Sequence, residues 1–342
     1  MEHALICPQC KAPLKAYWYS RSVVCSFCGT TIKLEESTVS VEDFHKSWQA
    51  WNSPETHGVV NYISLGKRHW AMENLLENGE TTDVYAGRLA RWPTERVVIK
   101  VLRKDKDASR LNNEWKTLTQ LLQSRARGAA HFARLLPQPV MNGVISGTQL
   151  HGRQVSLFRH ERGVRYHLGQ VAKVYADGIP PRASIWVWRR LLEILFFAHV
   201  SGFVHGAVLP EHILIQEGEH GVRLCGWGLS GLKDSPLPTH QSLYDRFYGE
   251  EVKTGMPCMT QVDIRMSARC MIHALGGDVS SASLPDSVPA RLAETLIKYA
   301  TLPLKRSTEV SAWTIRQELE DVAAAVYGPP AYLPLKMPQQ VH

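Results

Sequence analysis

The sequence predicts an α+β protein of two lobes, a β-rich one followed by a helical one, preceded by a small cysteine-cornered ribbon. Three observations lead there. Four of the seven cysteines fall within the first 28 residues, in two Cys-x-x-Cys pairs. Between residues 71 and 160 turns alternate with β-branched runs. After Pro180 and Pro181, apolar residues recur at helical spacing through most of the remaining chain. The 342 residues correspond to about two domains and a small module at roughly 150 residues per domain. The predicted boundaries are a ribbon at 1–36, a linker with a short helix at 37–70, the first lobe at 71–160, the second at 161–326, and a Pro-rich tail at 327–342.

Composition excludes several classes. A hydrophobic content of 44% supports a sizeable core and argues against wholesale disorder. No apolar run approaches the roughly 18–20 residues of a membrane span. The greasiest stretch, 185–204, carries Arg189, Arg190, Glu193 and His199. The first residues lack the basic start and long apolar run of a secretory signal, so a cytoplasmic protein is expected. The formal charge of +7 is modest for this length and does not by itself call for nucleic acid.

The first module is the most specific signal. Cys7-Pro8-Gln9-Cys10 and Cys25-Ser26-Phe27-Cys28 are separated by fourteen residues. Each turn brings two thiolates to one ion, and two turns complete a closed tetrahedral zinc site. Cys7, Cys10, Cys25 and Cys28 are therefore the expected ligands of a structural zinc, with no open position for catalysis. Two disulfides would suit an oxidising compartment rather than a cytoplasmic chain. A hairpin is expected at 17–24 and a return strand at 30–34, with Gly29 in the tight knuckle. So small a module buries too little to fold without its metal. Lys11, Lys15, Arg21 and Lys33 lie among Tyr17, Trp18 and Tyr19; this is either a solvated basic face with aromatics docking on a partner, or a nucleic-acid patch.

The remaining elements follow in order. A short helix is expected within 37–57, around Trp48 and Trp51. Residues 77–87 read as a turn and strand, and 96–102 as a strong strand rich in β-branched residues. A helix is expected at 111–123, a strand at 154–158, and a long helix after Pro181, ended by Gly202. Short strands at 213–215 and 222–225 flank a turn, and helices are expected at 262–275, 290–300 and 309–326.

Several ordered landmarks then resemble the protein-kinase fold, over about residues 71–325. Val97-Val98-Ile99-Lys100 is similar to the kinase Val-Ala-Ile-Lys strand, whose Lys contacts phosphates and pairs with a helix Glu. Glu114 is the candidate partner of Lys100. At the phosphate-loop positions the chain has Glu77, Gly79 and Thr82, so only Gly79 keeps the glycine that lets backbone approach a nucleotide. His205-Gly206-Ala207-Val208-Leu209-Pro210-Glu211-His212 resembles the catalytic loop His-Arg-Asp-Leu-x-x-x-x-Asn, and is similar to bacterial protein-kinase-like proteins with a His-Gly-x-x-x-Pro-x-His segment. Ala207 stands for the catalytic Asp and His212 for the magnesium-binding Asn. Cys225-Gly226-Trp227-Gly228 stands at Asp-Phe-Gly, with Gly226 for the second magnesium ligand. Asp263 resembles the helix Asp that holds the catalytic loop, and Glu251 with Arg306 resembles the pair that closes the activation segment.

The resemblance implies an impaired kinase, because Ala207 accepts no proton and imidazole is a poor ligand for hard magnesium. Each lost group stands against about 3–4 kcal/mol for removal of one preorganised stabiliser, non-additively. The expected function is a pseudokinase scaffold or allosteric regulator whose ribbon docks a partner. Relatives acting beside von Willebrand A-type and phosphatase signalling proteins suggest that kind of partner. A weak, magnesium-independent ATP site at Lys100, Glu114 and Gly79 is compatible with this. Two alternatives are a divergent ATP-binding enzyme of kinase fold, in which Glu211 or Glu219 replaces a lost carboxylate, and a nucleic-acid platform using the ribbon.

Overall fold

The computed structural model describes residues 6–14, 22–33, 58–147, 149–161, 163–216, 220–239, 244–305, 310–333, 335 and 337. The helix expected within 37–57, Glu219 and Arg306 lie outside them. Strands β1 (Ser22–Val24) and β2 (Thr31–Lys33) pair antiparallel in the ribbon. Both fall within the expected hairpin and return strand.

The first lobe is one antiparallel sheet of β3 (Asn61–Leu65), β4 (Arg68–Asn78), β5 (Thr82–Leu89), β6 (Trp92–Leu102), β7 (Pro139–Val144) and β8 (Gln154–Arg159), ordered β3-β4-β5-β6-β8-β7. The sheet therefore begins inside the stretch read as linker up to residue 70. The reason is burial: Ile63, Leu65 and Trp70 pack with Met72, Ile99 and Leu157 in the core of the lobe. Alternation within so short a strand, Asn61-Tyr62-Ile63-Ser64-Leu65, is a weak signal on its own. The sheet curls until its edges meet, where Ser146 donates its backbone N–H to the carbonyl of Ser64 at 3.0 Å. This leaves little open edge for stray strand pairing.

Helix α1 (Ala108–Leu122) crosses the sheet with Leu111, Glu114, Leu118 and Leu121 buried. Their 3–4 spacing is the amphipathic stripe the sequence shows. The connection to the second lobe runs through β9 (Val164–His167), which joins β11 (Ile213–Gln216) and β12 (Gly221–Leu224) in a small antiparallel sheet under the cleft. A two-stranded piece, β10 (Phe203–Val204) with β13 (Gly231–Leu232), lies beside it.

The second lobe is helical: α2 (Leu168–Val174), α3 (Pro181–Val200), α4 (Thr260–Ala274), α5 (Ala290–Ala300) and α6 (Ala312–Tyr327). Helix α3 starts with Pro at its first turn, where a missing N–H costs nothing. It is apolar on nearly every side and runs through the lobe, burying Trp186, Trp188, Leu191, Leu192, Leu195 and Phe197. Each such side chain stabilises by about 1.5–3 kcal/mol on burial. Its buried Glu193 is neutralised by Arg190 at 2.8 Å and Arg316 of α6 at 2.9 Å. No helix among the described residues is long and apolar enough to cross a membrane.

Candidate functional site

The site is a cleft between the lobes, and its floor is the segment 205–212. Asp263, fully buried near the start of α4, fixes that segment: its Oδ2 accepts the backbone N–H of His205 and its Oδ1 that of Gly206, both at 2.8 Å. His199 of α3 donates to the same carboxylate at 2.8 Å. The Tyr248 hydroxyl donates to the carbonyl of Gly206 at 2.6 Å. The His205 ring donates from Nε2 to the Cys225 carbonyl at 3.0 Å and accepts the Ala207 N–H on Nδ1 at 3.2 Å. That tautomer is neutral, and burial pushes the imidazole down to about 4. The role expected of Asp263 is thus what the structure shows.

Lys100 and Glu114 meet as the sequence suggests. Nζ lies 2.7 Å and 2.8 Å from the two carboxylate oxygens. Burial disfavours both charges, but each outweighs that for the other, so Lys100 is raised and Glu114 lowered. Glu114 Oε1 also accepts the backbone N–H groups of Gly226 at 3.2 Å and Trp227 at 3.3 Å. One carboxylate therefore ties β6, α1 and the segment after β12 together.

The positions that would carry phosphoryl-transfer chemistry hold different groups. Ala207 is fully buried and brings no polar side chain. His212 donates from Nδ1 to the Ala207 carbonyl at 2.8 Å, and burial lowers its pKa. Its ring lies directly against the backbone of Gly226. A Cβ at Gly226 would sit 2.5 Å from three ring atoms, and φ there is +79°. Glycine is required on both counts, contact and conformation. His212 and Gly226 thus form a packed pair. Trp227 is fully buried, donates its indole N–H to the Leu224 carbonyl at 2.8 Å and meets His205 edge-on at 4.5 Å. Burial raises the neighbouring Cys225 thiol to about 11.

Neither imidazole nor tryptophan fills the cleft, which keeps a cavity of about 980 Å³. Val84, Ala86, Val98 and Phe158 line it from the first lobe and Leu214 from the second. Gly79 sits in the β4–β5 turn and is held there: its N–H donates to the Thr82 carbonyl at 2.9 Å, and Arg103 donates to its own carbonyl at 3.0 Å. The turn is also pinned from outside. Arg110 of α1 bonds Glu80 at 2.6 Å and the Thr239 carbonyl at 3.0 Å. Glu77 faces His167 at 3.6 Å, and Glu211 lines the same cavity. His167, Arg110 and Glu80 had no sequence signal, because each acts through tertiary approach of elements far apart in the chain.

The second site is the ribbon. One ligand atom each from Cys7, Cys10, Cys25 and Cys28 lies within 4.8 Å of the others. The closest sulfur pairs, Cys7–Cys28 and Cys10–Cys25, are 3.6 Å apart. Tetrahedral zinc with Zn–S of about 2.3 Å needs S–S edges of about 3.8 Å, so the four thiols fit this ion and leave no open position. Both knuckles close through backbone: Lys11 N–H to the Cys7 carbonyl and Gly29 N–H to the Cys25 carbonyl, each 2.9 Å.

The second knuckle is docked on the helical lobe. Arg190 donates to the Ser26 carbonyl at 2.8 Å. Phe27 meets His220 edge-on at 4.9 Å, while His220 stacks between Trp186 at 4.4 Å and Tyr332 at 4.4 Å. Tyr332 N–H donates to the Cys10 carbonyl at 2.8 Å, and His220 bonds the Leu333 carbonyl at 2.6 Å. Within the tail read as irregular, Tyr332 and Leu333 strap ribbon to lobe. His220, at φ 50°, gave no hint of this in sequence. Glu251 is paired, by Arg265 at 2.6 Å, a partner the sequence did not single out.

These features coincide with known folds. The structure is similar to "Structure of vaccinia related kinase 3", with 16% identity and a TM-score of 0.62 over 86% of this chain and 100% of that one. It is also similar to "Crystal structure of BubR1 kinase domain", with 14% identity and a TM-score of 0.58 over 83% and 91%. The chain has the two-lobed protein-kinase fold, with a four-cysteine ribbon before it. No family model and no curated protein matches the sequence.

Proposed function

We propose that this chain is a catalytically silent kinase-fold protein, a pseudokinase that works as a scaffold or allosteric subunit. The observation that supports this best is the His212–Gly226 pair. A neutral imidazole occupies the space an acidic side chain at position 226 would need, and Ala207 offers no base. Kinase-type transfer depends on positioned magnesium and an oriented hydroxyl, and Ala207, His212 and Gly226 supply no carboxylate or amide for either. The hydrogen bonds of Asp263 and Glu114 around these positions are nevertheless in place, which suits a protein that presents a surface rather than turns over substrate.

In this reading the zinc-bound ribbon is part of the presenting surface. Since its second knuckle rests on α3 and the tail, a partner would meet ribbon and helical lobe together. A bacterial cytoplasmic signalling module with a von Willebrand A-type or phosphatase partner remains the context we propose. The test is transfer of radiolabelled γ-phosphate from ATP, with magnesium or manganese, to the chain itself and to a generic basic protein. No transfer above the level of Lys100→Ala is expected. Turnover that disappears in Lys100→Ala would instead establish the divergent enzyme.

A further inference from the structure

The two knuckles of the ribbon have little to hold them together except their thiols. Among the described residues, each knuckle pairs its backbone only within itself: Ile6 with Pro13 in the first, and Ser22–Val24 with Thr31–Lys33 in the second. What joins them is the cluster of Cys7, Cys10, Cys25 and Cys28 and a few apolar side chains around it. So small a module depends on its metal to fold.

Tyr332 is seated across both knuckles. Its backbone N–H donates to the Cys10 carbonyl of the first at 2.8 Å, and its ring meets Phe27 of the second edge-on at 6.4 Å. That seat exists only while the knuckles are held side by side. On its other side Tyr332 covers the helical lobe. Its ring lies over His220 at 4.4 Å, and His220 lies flat on Trp186 of α3 at 4.4 Å. Both His220 and Trp186 are buried, and His220 Nε2 bonds the Leu333 carbonyl at 2.6 Å. The contacts thus run without a break from the thiols through Tyr332 and His220 to Trp186. The segment has fixed ends, for Tyr327 closes α6 and Leu335 is buried in the core of the lobe. Only the span between them leans on the ribbon.

We infer that residues 328–333 form a zinc-dependent strap. In the zinc-loaded chain the strap is held on the ribbon and covers His220 and Trp186. On zinc loss the knuckles part, the strap lifts between its two ends, and the His220–Trp186 face opens to solvent. Metal occupancy then selects which of two surfaces the chain presents. This goes beyond the silent reading of Ala207, His212 and Gly226 and stands whether or not the cleft transfers phosphate.

Two measurements on the full chain test it. The first compares the zinc-loaded chain with the chain stripped by a chelator. Hydrogen exchange of the strap peptide and acylation of His220 by diethyl pyrocarbonate, read by mass spectrometry, should each speed up at least about tenfold on stripping, while the amides of α4 keep their protection. The second uses linkage: if zinc favours the closed strap, the closed strap favours zinc by the same factor. Competition with a chromophoric chelator should show zinc binding about tenfold weaker in Tyr332→Ala, within the 5–150-fold span usual for coupled sites. His220→Ala should weaken it in the same direction. Unchanged exchange and acylation on stripping, or unchanged zinc affinity in Tyr332→Ala, would overturn the inference. So would loss of α4 protection on stripping, since zinc would then hold the whole lobe rather than the strap. The first measurement needs no variant, so it decides even if Tyr332→Ala folds poorly.

Discussion

Beneath the loop at 205–212, Asp263 accepts two backbone N–H groups at 2.8 Å, and Glu114 joins Lys100 to the segment at 226–227. Within the loop and across from it, Ala207, His212 and Gly226 bring no carboxylate at all. The supports are complete; in the reading proposed above, the positions facing the cleft lack the groups that phosphoryl transfer needs. The difference separates two demands on one sequence. A buried polar network must be complete for the chain to fold, because an unsatisfied buried group is costly. A catalytic side chain serves only the reaction.

The largest effect should come from the supports. Asp263→Ala removes the acceptor of two buried backbone N–H groups and of His199. Breaking a buried charged network typically costs about 3–5 kcal/mol. Urea denaturation should show a loss of this size. A loss below about 1 kcal/mol would mean that the loop holds itself, and the contrast between support and surface would collapse.

A second support is legible in acid. His205 is held neutral, with a folded pKa near 4 against an ordinary value near 6.5. The unfolded chain then binds the proton more readily. Stability from this residue is full above about pH 6.5 and declines as pH falls toward 4, by roughly 3 kcal/mol if the whole shift is realised. His205→Gln should lower stability at pH 7 yet flatten the slope between pH 6.5 and 4. An unaltered slope would assign the acid limb to other groups.

This contrast also explains what could be read from sequence. The cysteine pairs were legible from their fixed spacing, whereas Lys100, Glu114 and Asp263 were legible through the kinase resemblance, on a strand and two helices that the apolar pattern locates. The helices from 181 onward were legible from that same apolar pattern. The pinned turn was not, since Glu80–Arg110 and Glu77–His167 join residues whose neighbours say nothing of each other. Nor was the strap, where Tyr332 reaches Cys10 and His220 slides between two rings. The absence of an acid at 226 was visible. The imidazole of His212 packed against that glycine appears only in the folded structure.

That packing gives the smallest and sharpest prediction. Gly226→Asp places a Cβ 2.5 Å from the His212 ring at φ +79°, where a side chain is strained even in open space. Overpacking and an unfavourable φ together should cost about 2 kcal/mol. His212→Asn alone loses the ring and its bond to the Ala207 carbonyl, for about 1 kcal/mol. If the two positions form a unit, the double variant should be more stable than the sum of the singles by about 1 kcal/mol, because the smaller side chain vacates the space that aspartate needs. Chemical denaturation of all four proteins measures that coupling. A coupling near zero would show that the backbone at Gly226, not the imidazole, excludes the acid, and the positions facing the cleft would then be shaped by the same supports that hold the loop.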